Sequence, residues 1–211
     1  MDKMKNGAVL RNGTQRTAKE VFEKYAIVIA FLALLIVVSI LCSSFLTPSN
    51  LILVLNQTSI NGILAVGITY VLITAGIDIS IGSVVGLSGV ISAMVVKAGA
   101  PLPVGFLCGI LAGTLVGVII GILVTKGKLA PYIVTLGFLT IIRGAALLIA
   151  GGRPISSLGD AYGWIGNHNV FGVIPCPVII FLIVVVIGHL ILAPLQIGRY
   201  IYAGGGNSDA A

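Results

Sequence analysis

The sequence predicts an all-α integral membrane protein, a polytopic helical bundle with about six transmembrane helices and both termini in the cytoplasm. Three observations carry this expectation. Hydrophobic residues make up 58% of the 211 and charged residues only 9%, whereas a soluble domain carries roughly a quarter charged residues. The mean hydropathy is +1.17. The apolar residues also fall in long runs, and not one charged side chain occurs from Tyr25 through Ile77. Finally, Lys and Arg gather in alternate connections between those runs, as the positive-inside tendency requires.

Residues 1–24 form a cytoplasmic segment with six basic and three acidic residues. The apolar stretch from Tyr25 to Leu46 is too long for a signal-peptide core of about 7–15 residues. Leu41, just before Cys42, is not the small residue a lipoprotein cleavage site needs, so this stretch reads as an uncleaved first span. A span needs about 20 apolar residues to cross a hydrocarbon core roughly 30 Å thick. Six stretches of the transmembrane domain, residues 25–197, meet or approach that: 25–46, 51–76, 79–96, 103–125, 129–150 and 174–195. Turn-forming residues separate them at Thr47-Pro48-Ser49-Asn50, at Gly99 to Pro103 and at Lys126-Gly127-Lys128. The longest gap, Gly151 to Val173, is rich in Gly and polar residues and holds the one Trp of the chain, Trp164.

With the N-terminus inside, the cytoplasmic side receives the six basic residues before position 25, Lys126, Lys128 and Arg199. The outside receives Lys97 and Arg153. Nine against two fixes the expected orientation, and it places Trp164 and Tyr162 in an outer loop, where amphipathic rings favour the headgroup level.

Composition also excludes functions. The net charge of +6 comes with no basic patch interleaved with aromatics, so nucleic-acid binding is not expected. Three cysteines, Cys42, Cys108 and Cys176, form no disulfide framework or metal-ligand spacing, and no metal is expected. There is no phosphate-binding G-x-x-x-x-G-K-[ST] loop, zinc-spaced His pair or catalytic triad. The chain is not expected to be an enzyme, nor to hydrolyse ATP itself.

Polar groups inside a membrane are costly, which makes their positions informative. Asn56-Gln57-Thr58-Ser59-Ile60-Asn61 lies within the second span. These residues serve either as interhelical hydrogen bonds or as the polar wall of a hydrophilic path, with Asn56, Gln57 and Asn61 the candidates. The run from Thr74 to Ser83 contains Asp78, the one charged residue between Lys24 and Lys97. It reads as turn chemistry at the end of the second span or, preferably, as a discontinuous element at a transport path or gate, with Thr74, Asp78, Ser80 and Ser83 as candidates. Non-helical backbone at membrane depth is tolerated where protein or water surrounds it. Arg143, with Thr140 one turn earlier, either snorkels to the interface or takes part in transport. Gly105, Gly109, Gly113, Gly117 and Gly121 recur every four residues and so share one helix face, a device for close helix packing.

The run Gly76-Ile77-Asp78-Ile79-Ser80-Ile81-Gly82-Ser83 resembles the G-I-D-L-S-V-G-S signature of bacterial ribose-type sugar permeases. The resemblance extends through Asn50-Leu51, Gln57-Thr58-Ser59, Asn61, Ala65-Val66-Gly67, Lys126-Gly127-Lys128, Arg143-Gly144, Gly163-Trp164 and Gly198 to Ala203. It implies the membrane subunit of an ATP-binding-cassette importer for a monosaccharide in the bacterial inner membrane. It also implies the partners: a second permease subunit, normally in a homodimer, a cytoplasmic cassette ATPase that binds the ATP, and a periplasmic or lipid-anchored sugar-binding protein. No cofactor is implied on this chain. Residues 198–211 resemble the start of the family's cytoplasmic coupling segment, and Gly205, Gly206, Asn207, Ala210 and Ala211 match its G-G-N-x-x-A-A pattern. Family members continue with further spans, so the resemblance covers about the first two-thirds of a typical permease, and the later helices that help enclose the path are missing from this length. An ion-coupled secondary transporter and a non-transporting scaffold or gene remnant are the alternative readings.

Overall fold

The computed structural model describes residues 24–170 and 172–206. The chain divides into two compact units, Met1–Val54 and Leu55–Ala211. In the first, helix α1 (Lys24–Leu41) leads through a turn into helix α2 (Pro48–Ile73), within which the unit boundary falls. The Asn50 side-chain amide donates to the Phe45 carbonyl at 2.8 Å. Thr47 caps α2, its carbonyl accepting from the Leu51 N–H at 3.0 Å. Pro48 then occupies the first helical position, where a missing N–H costs nothing.

The second unit continues α2 and adds α3 (Ile81–Lys97), α4 (Leu102–Thr125), α5 (Pro131–Ile149), the short α6 (Asp160–Asn167), a two-residue hairpin of β1 (Asn169–Val170) and β2 (Ile174–Pro175), α7 (Cys176–Leu192) and α8 (Gln196–Gly206). α3 is the hub, packing most closely on α4 and next on α5. Few of the described residues are buried; among them are Leu87, Ala93, Ile120, Val134 and Ile142, with Ser59, Ser80, Ser92 and Thr135. A soluble protein would hide its large apolar side chains, but here they point outward, as befits a surface solvated by lipid.

Glycine makes the α3–α4 contact close. A Cβ at Gly109 would stand 2.8 Å from the Ser88 carbonyl oxygen, and one at Gly113 would stand 2.9 Å from the Ser88 hydroxyl. A Cβ at Gly105 would run into Val96. Gly117 and Gly121, further along the same stripe, face open space. α7 meets α2 through another pair of glycines. Gly62 lies under the Phe181 ring, and the Tyr70 hydroxyl donates to the Gly188 carbonyl at 2.8 Å.

The all-α membrane architecture and the discontinuity near Asp78 are both present. Among the described residues four helices, α1, α2, α4 and α5, are long and apolar enough to cross a membrane. α3, an apolar helix of 17 residues, is about 25 Å long at 1.5 Å per residue. The apolar stretch 174–195 is interrupted. α7 stops at Leu192 and α8 departs from it at 78°, so the pair makes at most a fifth span. Pro194 lies in that break, where its ring and missing N–H stop helix propagation.

Candidate functional site: a helix break and the groove beside it

α2 ends in a Schellman turn. The Gly76 N–H donates to the Val71 carbonyl at 2.9 Å and the Ala75 N–H to the Leu72 carbonyl at 3.0 Å. This closure needs a left-handed residue after the helix, and that residue is Ala75, at φ 57°. α3 and α5 close the same way with glycine in that place, Gly99 and Gly151. Non-helical backbone then runs to Asp78. One oxygen of its carboxylate, Oδ1, accepts both the Ser80 N–H and the Ser80 hydroxyl, each at 2.7 Å. Ser80 is completely buried, so the carboxylate satisfies polar groups that no water reaches and sets the start of α3.

α5 holds this break in place. The Thr135 hydroxyl lies 2.9 Å from the Pro131 carbonyl and 3.2 Å from the Ile77 carbonyl, so its single proton is shared between helix and break. One turn into α3, the Ser83 hydroxyl donates to the Leu139 carbonyl at 2.9 Å. From here a groove opens between α3 and α5. One cavity, of about 340 Å³, is lined by Ile79, Ser83, Leu139 and Arg143, among others. A second, of about 750 Å³, reaches Arg153 and Tyr162. The two adjoin, with Gly86, Arg143 and Ala146 lining both.

The structure thus gathers Asp78, Ser80, Ser83 and Arg143 along one α3–α5 seam. The other path candidates lie elsewhere. The Asn56 amide approaches the Gly166 carbonyl of α6 at 3.4 Å, while its Oδ1 is buried without a partner. Gln57 and Asn61 are exposed on α2, and the Thr74 hydroxyl bonds back to the Val71 carbonyl at 2.8 Å. Of the coupling candidates, Gly205 sits directly on the backbone of Ile73 and Thr74, where α2 gives way to the break. Gly206 ends α8, and Asn207, Ala210 and Ala211 lie outside the described residues. Sequence reasoning did not select Arg153, Tyr162 or the glycines of the groove. The spacing of Gly82, Gly86 and Gly89, one face of α3, was the available signal.

Residues 50–211 match the family model described as branched-chain amino acid transport system / permease component. The chain belongs to that permease family. Its curated relatives include the ribose import permease protein RbsC of Bacillus subtilis, 42% identical over 90% of this chain and 60% of the relative. The Haemophilus influenzae protein of the same name is 42% identical over 86% of this chain and 57% of its own length. The L-arabinose transport system permease protein AraH of Escherichia coli is 31% identical over 90% of this chain and 58% of its own length. The chain therefore spans about three-fifths of the length of these relatives. No solved structure matches it.

Proposed function

We propose that this chain is the permease subunit of an ATP-binding-cassette sugar importer that passes a ribose-like monosaccharide across the bacterial inner membrane. The observation that carries the reading is the 42% identity to a ribose import permease across 90% of the chain. The family description names branched-chain amino acids, but relatives of this chain are named for ribose, allose and arabinose. Sugars are therefore the substrate class the comparisons favour. Nothing in them supports the ion-coupled carrier or the scaffold.

In this reading both termini are cytoplasmic and the chain itself is not an enzyme. A separate cassette ATPase supplies the energy, a sugar-binding protein delivers the substrate, and a second permease subunit completes the pore. The contact of Gly205 with Ile73 and Thr74 supports α8 as the link by which the ATPase moves the Asp78 break. Affinity purification of this chain with its coexpressed ATPase, in mild detergent, tests the partnership. The ATPase is expected to be retained and to be lost when residues 198–211 are removed; retention unaffected by the deletion would place the coupling surface elsewhere.

A further inference from the structure

We propose that the α3–α5 groove is one wall of the route taken by a neutral, polyhydroxylated substrate, with the Arg143 guanidinium as its hydrogen-bonding station; this rests on the permease reading above. The groove runs from Ile79 and Ser83, beside the helix break, to Arg153 and Tyr162 at the far ends of α3 and α5. On α3 it extends from Gly82 to Ala93, about 16 Å of rise. Its two cavities, about 340 and 750 Å³, fall in the range of small-molecule sites. Arg143 lines both, six residues before α5 ends at Ile149.

A cation at that depth needs a partner. The acidic side chains among the described residues are Asp78 and Asp160. Asp78 is engaged with Ser80, and Asp160 lines a different cavity, on α6. Among the described residues Arg143 has neither ion pair nor hydrogen bond, so its five fixed donors are free. A sugar presents hydroxyl oxygens that accept from this fork without the lasting hold of a carboxylate, which suits a group that must bind and release. Gly82, Gly86 and Gly89 leave the α3 wall bare, and a Cβ at each would meet nothing within 4 Å. The cavity on the other side of α3, about 490 Å³ towards α4, is lined by no charged residue and offers a sugar no such station.

The test uses the permease assembled with its ATPase and sugar-binding partner in membranes, with Cys42, Cys108 and Cys176 replaced by serine. Single cysteines enter by Gly82→Cys, Gly86→Cys or Ala146→Cys. Ile141→Cys, at an α5 position that is 63% exposed and outside the groove, is the control. A charged, membrane-impermeant thiol reagent is expected to label the groove cysteines about tenfold faster than the control, and ribose with ATP should slow that labelling. Arg143→Met is expected to lower maximal ribose uptake about tenfold with little change in half-saturation, and Arg143→Lys to lie between. Groove cysteines no more reactive than Ile141→Cys would overturn the route, whatever Arg143→Met does to folding, because labelling is read with Arg143 intact. Wild-type uptake in Arg143→Met would also overturn it. If wild-type membranes import ribose while the groove stays unlabelled, the route fails and the permease reading stands. If they import no sugar, the permease reading fails, and labelling still decides whether the groove is a water-filled path.

Discussion

Ala75 and Asp78 show how single residues shape the break. A left-handed conformation costs an alanine about 1–2 kcal/mol, and the greater chain entropy of glycine returns about 0.5–1 kcal/mol of any gain. Ala75→Gly is therefore expected to stabilise the chain by roughly 0.5–1 kcal/mol, measured as unfolding in detergent. Asp78→Ala would leave a buried N–H and a buried hydroxyl of Ser80 without their acceptor. Since hydrogen bonds to a charged group contribute about 1.5–3 kcal/mol, a loss of that order is expected in the same assay. Asp78→Asn keeps an acceptor oxygen and should recover more than half of it. Equal losses in the two variants would show that the carboxylate does something other than anchor Ser80. The sequence made Asp78 conspicuous as a lone charge. It did not reveal that Ser80 is its partner, because the burial of Ser80 is set by tertiary packing.

At the scale of elements, composition identified the helices better than their limits. Prolines at or near the starts of α2, α4, α5 and α7 and glycines after α3 and α5 were legible as punctuation. Apolar runs were less reliable guides to length. Hydropathy continues through Pro194 while the hydrogen-bond ladder does not, and α3 starts two residues later than expected, at Ile81. The α4 glycine stripe is regular in sequence, but only its first three members meet α3, because neighbouring helices diverge in ways that spacing cannot encode. Gly109→Val is expected to open the α3–α4 seam and cost about 2 kcal/mol or more, in the manner of an overpacked core. Gly117→Val, where a Cβ meets nothing, should stay within about 0.5 kcal/mol of the parent. Thermal unfolding of the two variants in detergent checks the contrast, and equal losses would contradict the packing described here.

For the whole molecule, class and family were legible because bulk hydropathy and the G-I-D-I-S-I-G-S run survive without knowledge of tertiary contacts. The site was only partly legible. Polarity in a span flags Asn56, Gln57, Asn61 and Arg143 alike, and only packing separates a residue on the α3–α5 groove from one against α6 or on an open face. The same packing joins α8 to the break through Gly205, Ile73 and Thr74. Gly205→Leu is therefore expected to displace α8 and reduce ATPase copurification at least several-fold; undiminished copurification would mean that α8 need not rest on α2. The most direct test of the importer reading is uptake of labelled ribose into proteoliposomes holding the permease with its ATPase and sugar-binding partner. Uptake should require ATP and the partner protein and survive collapse of ion gradients by an ionophore. Uptake that continues without ATP and stops with the ionophore would contradict the importer and make the chain an ion-coupled carrier.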